Sequence, residues 1–411
     1  MSEVAPVQEQ SRIKSLDTMR GFALLGILAV NAAFFAAPWQ AAFNPLADPL
    51  AVTDQTMWSW WVMHTFFEFK CITLFSMLFG ASIYLVGGER SDAARGVVLR
   101  RRLFWLMIFG LIHGLLIWYG DILFHYALVG FIVLFVRSWK PATLFAVGVV
   151  VYLISFGLQT MSGPLLSMVP QEQLGDVMDQ IESTLAISQG DFESMRAAYQ
   201  GGVVTGVQQN VSTWLEAVGN SVFGLMPRTF AVMLIGMALF KMGFLSGAAP
   251  VWLYVVMVLI AAASLALVGY QALINWNLEF DTIHMLGAGI AANVGLSIFV
   301  SIGYASLFVL LVKAGAKLLT EPLAAVGRMA FTNYIMQSLI MTTIFWGGGR
   351  GLGLWGEVDR TTLWAIVLAV WALQLIWSPL WLSRFEMGPL EWIWRRLSYA
   401  KPVRIGKAAA A

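Results

Sequence analysis

The residues best equipped for chemistry are histidines set beside carboxylates in otherwise apolar sequence. His113 and Asp121 flank a turn containing Gly120, while His64 with Glu68 and Asp121 with His125 are each spaced by four. Residues four apart share a helix face. A carboxylate beside an imidazole orients the ring and selects its tautomer, which is the local equipment of a general base. Gly120 permits a tight hairpin that returns Asp121 to His113. The plainer alternative is that Asp121 caps the following helix and the histidines bond backbone or water. Histidine with carboxylate also suits zinc, but no compact spacing such as H-E-x-x-H occurs, so neither a metal nor a bound cofactor is expected.

Further polar residues interrupt apolar runs. An ionisable side chain inside a membrane span costs about 2.5–3.5 kcal/mol on insertion scales and therefore faces protein, a cavity or a partner. Lys70 joins His64 and Glu68 in this class. Arg228 follows Pro227, a residue that kinks helices and frees backbone acceptors; it either pairs with Glu68 or holds an anionic group. Asn333 and Gln337, also four apart, act as glue between helices or as ligand contacts. Asp17 and Arg20 open the first apolar run, one as a cap and the other as an anchor for headgroups or a ligand. Asn31 follows Arg20 by eleven residues, about 16 Å along a helix rising 1.5 Å per residue.

These residues need helices in a bilayer to position them. The 411 residues are 59% hydrophobic and only 12% charged, with mean hydropathy +0.75. Soluble domains carry roughly 25% charged residues, so this chain cannot cover a water-facing surface. A span needs about 20 mostly apolar residues. Ten runs qualify, near 19–38, 58–87, 103–119, 121–137, 141–161, 215–240, 250–272, 284–312, 323–346 and 361–383. The run from Trp58 is long for one crossing and must tilt or project. The expectation is an all-α polytopic integral membrane protein of about ten transmembrane helices.

Lys and Arg mark the cytoplasmic ends of spans. Arg12, Lys14 and Arg20, then Arg90 to Arg102, Arg137 and Lys140, Lys241, Lys313 to Arg328, and the tail from Arg384 to Lys407 alternate with base-poor turns. Both termini are expected in the cytoplasm; Arg350 and Arg360 depart from the pattern. All four histidines then fall in outer halves of spans. A five-span bundle (1–160), an extracytoplasmic acidic segment (161–213), a second five-span bundle (214–385) and a basic tail (386–411) make up the chain. In the acidic segment, Leu174, Met178, Ile181, Leu185 and Ile187 recur at near-helical spacing, which predicts amphipathic helices. They either lid an outward cavity or form a solvated connection. A net charge of +2 gives no reason to expect a nucleic-acid partner, and the lone Cys71 reads as core packing. The segment around Gly80 (Leu74 to Tyr84) echoes that around Gly236 (Phe230 to Phe240), a likeness that reads as chance, because apolar helices with a packing glycine often look alike.

Longer strings carry a family likeness. Leu16-Asp17-Thr18-Met19-Arg20-Gly21 leading to Asn31, Phe69-Lys70 leading to Leu74-Phe75-Ser76-Met77-Leu78-Phe79-Gly80, His113 to Tyr126, Val326 to Ser338, and Gly388 to Leu397 resemble YeiB-type bacterial inner-membrane proteins over nearly the whole chain. The opening motif is also similar to membrane acyltransferases of the heparan-glucosaminide acetyltransferase type, which use cytoplasmic acetyl-CoA. O-acetylating relatives carry His where Asn31 stands; the glucosamine type carries Asn. The resemblance implies a fold more firmly than a reaction.

Two functions follow as expectations. The first is transmembrane acyl transfer, with acyl-CoA as donor near Arg20 and Arg100 to Arg102, a sugar, lipid or other small molecule as acceptor in an outward cavity, and His113 as base oriented by Asp121. The second is a transporter or a lipid-binding protein of the inner membrane, with Glu68, Lys70, Arg228, Asn333 and Gln337 lining its path.

Overall fold

The computed structural model describes residues 13–48 and 50–406; Arg12 and Lys407 lie outside the described residues. The principal helices are α1 (Lys14–Ala36), α2 (Asp54–Phe66), α3 (Lys70–Gly87), α4 (Ala93–Ile112), α5 (Leu123–Val136), α6 (Pro141–Thr160), α7 (Gln171–Leu185), α8 (Gln189–Gln200), α9 (Val203–Ser221), α10 (Leu225–Lys241), α11 (Val251–Asn277), α12 (Ile290–Lys313), α13 (Lys317–Arg328), α14 (Ala330–Phe345), α15 (Arg360–Arg384) and α16 (Pro389–Tyr399). The only strand-like feature among the described residues is an isolated bridge between Phe385 and Gly406.

Among the described residues, six helical segments are long and apolar enough to cross a membrane: Lys14–Ala36, Asp54–Gly87, Pro141–Thr160, Val251–Asn277, Thr282–Lys313 and Arg360–Arg384. The pair α9 and α10, bent by 61°, makes a seventh if counted as one span. This is a membrane protein. The other expected runs are helical but differ from simple spans. α4 carries four arginines, and α5 is short at 14 residues. The run 323–346 is two helices, not one: Glu391 accepts from the backbone N–H groups of Phe331 (2.7 Å) and Thr332 (3.1 Å) and from the Thr332 hydroxyl (2.6 Å), so α14 begins as a newly capped helix.

The long run from Trp58 is broken. α2 ends at Phe66, Phe69 adopts a left-handed φ of 59°, and α3 starts at Lys70. A second break separates α9 from α10. The two echoed segments, in α3 and α10, pack against each other at their glycines. A Cβ on Gly80 would meet the Met233 carbonyl oxygen at 2.0 Å, and one on Gly236 would meet that of Met77 at 2.2 Å.

Other contacts repeat around this pair. α1 packs on α3 as α6 packs on α10; α3 meets α12 as α10 meets α5. α2 meets α11, and α9 meets the turn that continues α4. The set α1–α5 and the set α6, α9–α12 are therefore arranged with approximate two-fold correspondence, each containing one broken helix. α8, within the acidic segment, docks on the loop between α14 and α15: Phe192 stacks on Trp355, and the Gly347 N–H donates to the Tyr199 carbonyl at 2.8 Å.

Candidate active site

α4 does not stop cleanly at Ile112. It continues into one π-helical turn, His113–Ile117, closed by the Trp118 N–H on the His113 carbonyl at 2.8 Å. The wider turn leaves carbonyls to be satisfied from outside. Asn210 of α9 donates to those of Gly114 (2.8 Å) and Leu115 (3.1 Å), and Arg350 to that of Leu116 (2.8 Å). Single π turns of this kind recur at functional sites.

The chain then reverses toward α5. Gly110 lets the two helices touch, since a Cβ there would lie 2.1 Å from the Phe124 nitrogen. This proximity returns Asp121 to α4. Its Oδ1 accepts from His113 Nδ1 at 2.9 Å and from the Leu123 N–H at 3.1 Å; its Oδ2 accepts from the Phe124 N–H at 2.7 Å. One carboxylate caps α5 and holds the imidazole. On the other side of the ring, Ser338 Oγ of α14 lies 2.8 Å from His113 Nε2. His113 and Ser338 are buried at 0% and 1% exposure. His113 is therefore closed off from solvent: toward the α8 end lies Trp118, which stacks on Phe35 at 3.8 Å, within an aromatic cluster reaching Phe345, Trp346 and Trp355.

A cavity approaches from the opposite, arginine-rich end. Its volume is about 270 Å³, its walls include Leu24, Ile27, Leu78 and Leu106, and Arg20, Arg102 and Arg395 lie at its polar rim. Ile122, Tyr126 and Tyr334 line it as well. The Tyr334 ring lines the cavity and lies 5.1 Å from that of His113, so it touches both. α16 clamps the rim: Arg102 stacks over Trp394 at 3.9 Å, and the Trp394 N–H donates to the Arg102 carbonyl at 2.9 Å. Burial pushes the Glu391 carboxyl up, against the pull of its bonds from Thr332. Asp17 also lines the cavity and accepts from Arg20 at 2.8 Å. Arg100 and Arg101, expected beside Arg20 and Arg102, do not line it.

Over 93% of this chain and 95% of the relative, the sequence is 33% identical to a protein described as "Uncharacterized protein YeiB" from Escherichia coli (strain K12). The chain belongs to the YeiB family. It is also 32% identical to "Uncharacterized protein YxaH" of Bacillus subtilis (strain 168), over 97% of each chain. The family described as "Protein of unknown function (DUF418)" matches residues 239–401, which include α14 and Ser338. No solved structure matches the chain.

In this YeiB-family protein the second histidine–carboxylate pair belongs to a separate network at the α2–α3 break. His64 Nδ1 is 2.5 Å from Glu68. Asn293 of α12 donates to Glu68 at 3.0 Å and accepts from Lys70, which also donates to the His64 carbonyl at 2.7 Å. Arg228 does not pair with Glu68; it donates to the hydroxyls of Thr73 and Ser297, each at 2.7 Å. His125 turns from Asp121 to Thr229 Oγ1 at 3.1 Å, because Asp121 lies outside the helix that carries His125. Asn333 and Gln337 use their amides on α15: Asn333 donates to Ser378 (3.0 Å) and Gln337 to Gln374 (2.8 Å). Asn31 is half-buried on α1, away from the cavity lining. Among the described residues no three His, Cys, Asp or Glu side chains converge.

Sequence reasoning gave no site role to Ser338, Tyr334, Trp394 and Arg395, although all four lie in the strings that carry the family likeness. A serine in an apolar helix is ordinary, and only the fold sets α14 beside α4.

Proposed function

We propose that the chain is an acyltransferase of the bacterial inner membrane, with the arginine-rich end of the bundle and both termini facing the cytoplasm and about ten crossings between the two faces. An acyl-CoA-type donor occupies the cavity from the cytoplasm. A sugar, lipid or other envelope acceptor approaches from the far side, past the aromatic cluster. His113 accepts a proton during transfer while Asp121 holds the ring.

The observation that carries this reading is the position of the His113–Asp121 pair beside Tyr334, which lines an apolar cavity whose rim bears Arg20, Arg102 and Arg395. Apolar walls suit an acyl chain, and planar guanidinium groups suit phosphate. Purified protein in nanodiscs, given isotopically labelled acyl-CoA and envelope extract, should label an acceptor. Absence of transfer across short, medium and long donors and a broad acceptor panel would refute the reading.

A transport reading draws on a different observation. Two broken helices in corresponding positions, with Glu68 and Lys70 at one break and Arg228 near the other, resemble the sites of secondary transporters. Substrate flux into liposomes without chemical change would favour it.

A further inference from the structure

We propose that Ser338 is a nucleophile that carries the acyl group as an ester between donor and acceptor. The inference rests on the acyl-transfer reading and adds to it a covalent intermediate.

Three observations support the assignment. The two nitrogens of one imidazole are divided between a carboxylate and a hydroxyl: Asp121 at Nδ1, 2.9 Å, and Ser338 at Nε2, 2.8 Å. A carboxylate that accepts backbone N–H groups at both oxygens favours the tautomer with the ring proton on Nδ1. Nε2 is then the acceptor for the Ser338 O–H. That order of groups activates a serine whatever the fold around it.

Second, the π turn is bordered by buried donors without acceptors. The Trp118 indole N–H has none, and its ring is 6.4 Å from that of His113; the Trp214 N–H has none either and lies against Gly114. Both donors border the turn that carries His113, and a buried donor that meets the acyl oxygen stabilises the oxyanion formed on attack.

Third, the ring that touches both the cavity and the imidazole is held lightly. Tyr334 precedes Ser338 by one helical turn, and its hydroxyl makes two bonds of 3.3 Å, to the Gly120 carbonyl and from the Ile122 N–H. Both are longer than the common values, 2.7–2.8 Å for an O–H donor and 2.9–3.0 Å for an N–H donor. Movement of this ring joins the cavity to Ser338.

In the first step Oγ attacks the thioester carbonyl carbon and its proton passes to His113 Nε2. The carbon–sulfur bond breaks, and the departing sulfur takes that proton and leaves as a thiol. The acyl carbon is now bonded to Oγ. In the second step an acceptor hydroxyl or amine attacks the same carbon while Nε2 takes its proton. The Oγ–carbon bond breaks, and the proton returns to Oγ.

The test uses full-length protein in nanodiscs with radiolabelled acyl-CoA and no acceptor. Label should appear on the peptide containing Ser338, vanish in Ser338→Ala, and chase into product when envelope extract is added. Ser338→Cys should take up label that neutral hydroxylamine releases, which controls for folding of the alanine variant. If Ser338→Ala keeps full transfer without label, transfer is direct and the nucleophile assignment is overturned while the acyltransferase reading stands. If the native protein neither labels nor transfers, both fall.

Discussion

Gly80 and Gly236 bring α3 and α10 into backbone contact, each glycine lying against the carbonyl of the methionine three residues before the other. No flexible side-chain end can move aside for a new methyl group there. Gly236→Ala is expected to cost about 1–3 kcal/mol, the range for overpacking, and to lower the detergent melting temperature. Gly80→Ala acts on the same contact, so the double variant should fall short of the sum. A Gly236→Ala melting curve identical to the parent's would show that α10 can separate from α3.

The α2–α3 break makes a second test. Glu68 and Lys70 are both buried and share Asn293 as a partner. Removing one charge leaves the other in the interior, a loss of about 3–5 kcal/mol. Lys70→Met and Glu68→Gln should each reduce folded yield more than the two together. Glu68→Gln and Arg228→Met should be closer to additive, because Arg228 bonds hydroxyls instead. Thermal unfolding of the four proteins in each cycle decides both points.

These two regions show what sequence can and cannot disclose here. The long apolar helices were legible because composition and length alone demand a bilayer. The His113–Asp121 contact was legible because a short turn joins its two residues. The break at Phe67–Phe69 was not: it contains neither Gly nor Pro, and Phe69 takes a left-handed conformation that its residue type does not announce. The split of the run 323–346 depends on Glu391, some sixty residues away. Glu68 was expected to meet Arg228 because both were deep and opposite in charge, yet Asn293 and two hydroxyls satisfy them separately. The approximate two-fold arrangement left only the Gly80 and Gly236 segments as its trace.

The cavity predicts a dependence on donor structure. Leu78 lines its wall and Arg20 and Arg395 its rim. Leu78→Trp should raise KM for long-chain donors far more than for acetyl-CoA. Arg20→Gln and Arg395→Gln should each raise KM for every donor by about tenfold, ~1.4 kcal/mol, with the loss shrinking as salt rises. Equal KM values for long and short donors in Leu78→Trp would place the acyl chain elsewhere.

The contact between α8 and the α14–α15 loop should respond to acid. Arg196 and Gln200 hydrogen-bond Glu357, and the Arg196 bond is the main reason its carboxyl sits below the ordinary 4.5. A carboxyl depressed in the folded state contributes stability that is complete above its unfolded value and is lost as pH falls through the folded value. Hydrogen exchange in residues 189–200 should therefore be unchanged down to about pH 4.5, judged by that unfolded value, and accelerate below it relative to the intrinsic rate. Glu357→Gln should remove the acid step. An unaltered step in that variant would assign it to another group.

Asp121 has two duties, and substitutions can divide them. Its oxygens cap α5 through Leu123 and Phe124 and hold His113 Nδ1. Asparagine is a good cap, so Asp121→Asn should retain the fold; alanine loses the cap as well, at about 1 kcal/mol. Yet an asparagine presents an amide that either reverses the hydrogen bond at Nδ1 or leaves the imidazole without a carboxylate. Transfer should fall by at least a hundredfold in Asp121→Asn, within the range for losing acid–base assistance, with a melting temperature near the parent's. His113→Gln should fall as far, and the double variant little further, because the two act as one unit. Complementation or turnover measured beside abundance separates the outcomes. Full activity in His113→Gln would remove the site from the mechanism, whereas loss that merely follows loss of folded protein would leave the pair a structural clasp between α4 and α5.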